Sequence, residues 1–311
     1  MSKSLFAAAL LATLVLAACS SPEQPARNHS PSFDAARAWS DLERIVAFGP
    51  RPSGSQANGD LRAFLHAELV ALAPTVKRQA FEQETPAGPI TFENLYLDLA
   101  PSDPAAPWVI LATHFDTKRL PGEFVGANDG GSGTAVLLEL ARALASDTRP
   151  RDVGVRLLFL DGEEAVNLDW EGDDNTYGSR YHAAELLRTG QARRFGACIL
   201  LDMIGDADLV MLHETYSRPE LMELFETEAT RLGLGSHMAT RRWLPVKDDH
   251  LSFASVGIPA VDLIDFEYGP NNVYWHTTED TLAHCSEKSL GVVGTLVLGA
   301  LPAVKRWLLA Q

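Results

Sequence analysis

Basic residues are scarce in this chain: 26 Lys and Arg stand against 41 Asp and Glu in 311 residues, a formal charge of −15. Phosphate recognition needs a dense basic surface, and no Lys/Arg cluster of that density occurs, which argues against a nucleic-acid partner. Cysteine is scarcer still, three in all. Apart from Cys19, only Cys198 and Cys285 remain, so at most one disulfide can form, and both are read as buried thiols. No internal repeat is present. The apolar run over residues 5–18 is too short to span a bilayer. What is there is ordinary globular composition, 46% hydrophobic and 22% charged, enough for one large core in a single α/β domain.

Met1, Ser2 and Lys3 ahead of residues 5–18 have the form of a signal peptide, residues 1–18, removed on maturation. Leu16-Ala17-Ala18-Cys19 resembles the bacterial lipoprotein cleavage site, which implies a lipid on Cys19, and Ser20 after it resembles an outer-membrane sorting signal. An ordinary secretory cut near Ala18, with Cys19 incidental, is the alternative. Residues 19–32 have the Pro, Gln, Asn and Ser composition of a tether, so the folded body is expected over residues 33–311. The expectation is an exported lipoprotein on the periplasmic side of the outer membrane. It would touch the membrane only through its lipid and act as a monomer.

Apolar residues recur at helical spacing over 34–47 and 57–72, around the loop Gly49-Pro50-Arg51-Pro52-Ser53-Gly54. Runs of strand length follow at 94–99, 108–113, 155–160, 197–201 and 258–264. Several are continuously apolar, as strands buried on both faces must be. Helical patterns at 133–145, 178–188, 219–232 and 288–309 alternate with them. That order predicts an α/β three-layer sandwich, a mostly parallel sheet covered by helices on both faces. Polar residues fall just past the strands: His114 and Asp116, then Asp161, Glu163 and Glu164, then Asp202. Ligands of open α/β sheets bind at these carboxyl ends.

Asp129 lies in Gly126-Ala127-Asn128-Asp129-Gly130-Gly131-Ser132-Gly133, where glycines permit a turn tight enough to aim the carboxylate inward. By itself it reads as a helix N-cap. Glu163 and Glu164 are adjacent acids directly after an apolar strand, a pairing disfavoured unless a cation sits beside them. A metal ion bound by one leaves the other free to carry protons. His276 stands in Tyr274-Trp275-His276-Thr277-Thr278-Glu279-Asp280; alone it reads as a structural hydrogen-bond donor. One His with carboxylates and an open position is the catalytic zinc arrangement.

His114-Phe115-Asp116, Asn128-Asp129, Asp161-Gly162-Glu163-Glu164, Leu201-Asp202-Met203-Ile204 and Trp275-His276-Thr277 resemble, in order, the metal-site motifs of the zinc aminopeptidase superfamily over roughly residues 45–300. The resemblance implies a mixed, mostly parallel sheet of about eight strands with zinc at its edge. For a di-zinc aminopeptidase it implies five ligands, His114, Asp129, Glu164, Asp202 and His276. Three further stretches resemble animal-type glutaminyl cyclases. They are Asp161 to Ala165 leading to Trp170 and Tyr177-Gly178-Ser179-Arg180, Asp248-Asp249-His250-Leu251-Ser252-Phe253, and Trp275 next to His276.

That likeness implies conversion of N-terminal Gln of peptides or proteins to pyroglutamate with release of ammonia. One zinc would be held by Asp129, Glu164 and His276, with Glu163 as proton shuttle. Asp202 and Asp249 would hold the intermediate's nitrogen and tune Glu163, while Trp170 and Trp275 wall the pocket. The alternative is an aminopeptidase in which His114 and Asp202 complete a second zinc site. On that alternative Trp170 is partly buried surface, Asp249 a helix cap and Trp275 core filler. Two departures from the animal cyclases bear on the choice: the Asn128-to-Gly133 loop is closer to the aminopeptidase pattern, and no Cys pair flanks it. A catalytically inert scaffold is a third reading, and intact Glu163, Glu164 and His276 count against it.

Overall fold

In the computed structural model, residues 31–311 are described; the expected signal peptide (1–18), Cys19 and all but the last two residues of the expected tether 19–32 lie outside them. The chain opens with α1 (Ala35–Val46), whose first turn is capped by Asp34 accepting from the Arg37 amide at 3.0 Å. α2 (Gln56–Leu72) is capped in the same way by Ser55. Next come β1 (Lys77–Thr85), β2 (Gly88–Leu99), β3 (Trp108–His114), α3 (Gly133–Ala145), β4 (Gly154–Leu160) and α4 (Tyr177–Arg188). After these follow β5 (Phe195–Asp202), β6 (Met211–Glu214), α5 (Pro219–Arg231), β7 (Met238–Leu244), α6 (His250–Ser255), β8 (Ala260–Ile264) and α7 (Glu287–Leu309).

The main sheet has the order β1-β2-β4-β3-β5-β8. β1, β2 and β4 pair antiparallel, whereas β4, β3, β5 and β8 run parallel. β3, β4 and β8 are buried at every position, which explains why apolar residues fill most of their positions without alternation. One face, with Val109, Leu111, Leu157 and Leu201, packs on α1, α2, α3 and α7. The other, with Ile110, Ala112, Leu158 and Leu200, packs on α4 and α6 through Leu186 and Phe253. Each such side chain taken fully out of water contributes about 1.5–3 kcal/mol. α7 is long and apolar enough to cross a membrane, yet Leu290, Val293, Leu296, Val297 and Val304 are buried against this core. Cys198 and Cys285 are both buried and unpaired.

The expected sheet of about eight strands is corrected to six. β6 and β7 pair only with each other in a separate two-stranded sheet. The outer edge of β8 is covered instead by irregular chain after β6: Arg218 donates its amide to the Ala260 carbonyl (2.7 Å), and the Asp262 amide donates to the Ser217 hydroxyl (2.9 Å). An edge satisfied in that way accepts no further strand.

Candidate active site

The parallel strands end side by side, and their last residues carry the chemistry. His114 ends β3, Asp202 ends β5 on one side of it, and Glu163 and Glu164 follow β4 on the other. Asp116 fixes the acid pair. Its Oδ1 accepts the amides of Gly162 (2.9 Å) and Glu163 (3.1 Å), and its Oδ2 accepts that of Glu164 (3.3 Å). Three backbone amides converging on this one side chain anchor the loop in a nest.

Asp129 comes from a tight, irregular turn over residues 127–132 rather than from a helix cap; Ser132 stands at the N-cap position of α3. Gly130 makes the turn possible: its φ is +75°, and a Cβ there would collide with the Asp116 carbonyl oxygen and crowd the His114 ring. Asp280 accepts the amides of Asn128 (2.7 Å) and Asp129 (3.1 Å). The fully buried Arg51 donates to the carbonyls of Phe115 (2.9 Å), Gly126 (2.8 Å) and Val125, tying this turn to the end of β3. Burial pulls its guanidinium down to about 10, so it stays cationic at neutral pH.

His276 reaches in from the segment after β8. Its Nε2 lies 3.2 Å from Asp129 Oδ2 and 3.2 Å from Glu164 Oε1. The ring stacks on Trp275 at 4.0 Å, with the edge of Phe124 at 5.9 Å. Its φ of +54° and that of Met203, +48°, after Asp202, are left-handed values that non-glycine residues seldom hold away from functional sites. Asp129, Glu164 and His276 thus form one group able to hold a metal ion, and His114, Asp129 and Asp202 form a second that shares Asp129. In the second, His114 Nε2 is 3.1 Å from Asp202 and 3.3 Å from Asp129.

Electrostatics show that the first group fits a cation. Burial alone would lower the His276 pKa, but Asp129 and Glu164 outweigh it and hold it up at about 10. Burial also raises Glu164, and Asp129 beside it adds to the effect. Glu164 Oε2 is buried without a hydrogen bond. The site therefore demands positive charge between two carboxylates and an imidazole, and one nitrogen with two oxygens suits a first-row divalent ion such as zinc. Glu163 stays outside both groups. Burial pushes it well above the usual carboxylate range, with Glu164, Asp248 and Asp249 adding to the shift against His114.

The site opens into a cleft of about 340 Å³ lined by Asp129, Glu163, Glu164, Asp202 and His276, with Trp170, Trp275, Phe266 and Asp248 around them. Both tryptophans named from the sequence face this cleft; Trp275 also packs on Phe266 at 5.1 Å. Asp249 requires correction. It is wholly buried, does not line the cleft and caps nothing by its side chain, whereas its neighbour Asp248 forms part of the wall. The two are adjacent, and the start of α6 sends their side chains in different directions. Sequence reasoning also missed Lys118, fully buried with Nζ 3.6 Å from Glu164 Oε2. No periodicity marks it, although it lies four residues past His114 on the same strand end.

The fold and the paired acid–imidazole groups are those of an α/β metallohydrolase, and the chain belongs to peptidase family M28, which matches residues 94–301. Curated relatives named glutaminyl-peptide cyclotransferase match this chain in sequence, and solved glutaminyl cyclases match it in fold. The chain is 33% identical over 280 residues to the glutaminyl-peptide cyclotransferase-like protein of Mus musculus, covering 81% of this chain and 71% of that one. The crystal structure of an Acidobacteriales bacterium glutaminyl cyclase superposes with a TM-score of 0.85 at 32% identity, over 92% of this chain and 100% of that one. A leucine aminopeptidase precursor from Bacteroides thetaiotaomicron superposes at 0.77 with 27% identity, over 88% and 98%.

Proposed function

We propose that this protein is a zinc-assisted glutaminyl-peptide cyclotransferase acting on peptides or proteins that begin with Gln. The observation that carries the reading is the convergence of Asp129, Glu164 and His276 next to an uncommitted acid, Glu163, on the floor of an indole-walled cleft. In the reaction the substrate's N-terminal amine attacks its own γ-carboxamide carbon, closing a five-membered lactam and expelling ammonia. Asp129, Glu164 and His276 would hold a zinc ion, which would supply Lewis acidity at the γ-carboxamide oxygen. Glu163, poised high by burial, takes the proton that the attacking amine loses and gives it to the departing nitrogen. No water enters the balance.

Asp202 and Asp248 face the same space and accept hydrogen bonds from the reacting nitrogens, the part first assigned to Asp202 and Asp249. Trp170 and Trp275 cover the folded Gln side chain and exclude bulk water. His114 bridges Asp129 and Asp202 and keeps both carboxylates aimed inward. Export as a Cys19 lipoprotein, supported by Leu16-Ala17-Ala18-Cys19, would place the enzyme where other exported chains mature.

One observation favours a second reading, a di-zinc aminopeptidase: His114, Asp129 and Asp202 form a second donor group that shares Asp129 with the first. Product mass separates the two. A Gln-initiated peptide should become lighter by one ammonia and lose its free amine. Efficient trimming of a Leu-initiated peptide, with the Gln peptide left intact, would overturn the cyclase assignment.

A further inference from the structure

Behind the cleft wall a separate set of donors meets. Asp248 Oδ1 accepts the Asp249 amide at 2.5 Å, while its Oδ2 is buried without a hydrogen bond. Neither oxygen of Asp262, a fully buried residue of β8, has a hydrogen bond, and neither do those of Asp249. Among these acids lies His250, fully buried, with Nε2 3.3 Å from Glu214 Oε2 and Nδ1 3.8 Å from Asp262 Oδ2.

Glu214 decides which way the imidazole faces. It accepts the amides of Tyr216 (2.8 Å), Ser217 (2.5 Å) and Val246 (3.0 Å). His250 Nε2 faces Glu214 and Nδ1 faces Asp262, and neither ring nitrogen has a hydrogen bond. One ring nitrogen and two carboxylates from three buried residues converge within 4.8 Å of one another. Buried polar atoms without hydrogen bonds call for a proton or a cation between them.

Spacing argues for an ion. The 3.8 Å from Nδ1 to Asp262 exceeds hydrogen-bond reach. It approaches the separation of about 3.4 Å expected for two ligands on one tetrahedral ion. Glu214 behind the ring matches the carboxylate that orients a metal-binding histidine. Asp248 also lines the cleft, which provides a path in.

We propose that Asp248, His250 Nδ1 and Asp262 form a further cation site for a zinc-type divalent ion, separate from both donor groups that share Asp129. An ion there ties the loop before α6 to β8 and fixes the cleft acid Asp248 in place. The test is an anomalous difference map at the zinc edge from wild-type crystals grown with zinc alone. The expected result is a peak within coordination distance of His250 Nδ1, Asp248 and Asp262, in addition to density at Asp129, Glu164 and His276. Elemental analysis gives a second readout. Asp262→Asn should lose one bound zinc per chain relative to wild type, His276→Gln should lose a different one, and the double variant should lose both. No anomalous peak at His250 overturns the proposal and leaves shared protons to hold the acids together. Unchanged stoichiometry in a folded Asp262→Asn variant overturns it equally. Should that variant not fold, the wild-type map alone decides.

Discussion

Replacing Asp116 by Asn should damage both stability and catalysis although Asp116 touches no substrate. Its carboxylate accepts three amides, from Gly162, Glu163 and Glu164, and those amides belong to the residues that present the proton shuttle and a metal ligand. An Asn carbonyl in the Oδ1 position can keep the first two bonds in weakened, uncharged form. Its NH2 would then face the Glu164 amide, donor against donor. Loss of charge assistance on two bonds and loss of the third amount to about 2–3 kcal/mol. For a domain of this size that is a fall in Tm of roughly 3–5 °C.

The catalytic consequence follows from displacement. A shift of about 1 Å in a positioned group costs about 100-fold in rate, so kcat/KM for a Gln-initiated peptide should fall by about that factor. Thermal melts and ammonia-release kinetics on the purified variant provide the check. An Asp116→Asn protein with wild-type Tm and wild-type kcat/KM would refute the idea that this carboxylate sets the position of Glu163 and Glu164.

Glu163→Gln should leave the fold and bound zinc intact while lowering kcat by about 10²–10⁴, the usual worth of a positioned acid–base group; loss of zinc together with activity would instead make Glu163 a ligand. Trp275→Ala removes the face stacked on His276 and packed on Phe266, and KM should rise about tenfold with a smaller change in kcat, read from peptide kinetics. His182 supplies a pH test away from the site. Buried, and beside Arg156, it is held down at about 3, with Nδ1–H donating to Gln79 (2.7 Å) and Nε2 accepting from Arg156 (3.2 Å). Its ordinary value is 6.5, so the unfolded chain takes up the proton first. Its contribution is present above about pH 6.5 and falls by up to about 1.4 kcal/mol per unit as pH drops toward 3. The stability gap between wild type and His182→Gln, measured by denaturant titration, should shrink over that range; a constant gap would contradict it.

The layered sheet was legible because β3, β4 and β8 are buried on both faces and so cannot alternate. Metal-group residues were legible because acids seldom follow apolar strands without a reason, and their strand-end positions put them on one rim. β1 was not legible: it is an edge strand with only Phe81 buried, and Lys77, Arg78, Glu82 and Glu84 give it a solvated face. β6 and β7 escaped because a four-residue strand and its distant partner leave no local period. Asp248 and Asp249 show the same limit within the site. Adjacent identical residues differ only in the direction their side chains take, and the packing of α6 between β5, β8 and α4 sets that direction.

Ammonia release from a Gln-initiated peptide, followed on chelator-stripped protein before and after zinc is returned, tests the central claim most directly. The account predicts no release from the stripped protein, recovery in the wild type, and no recovery in His276→Gln at the same zinc concentration. Undiminished release from metal-free protein, or a peptide that has lost its first residue instead of one ammonia, would contradict it.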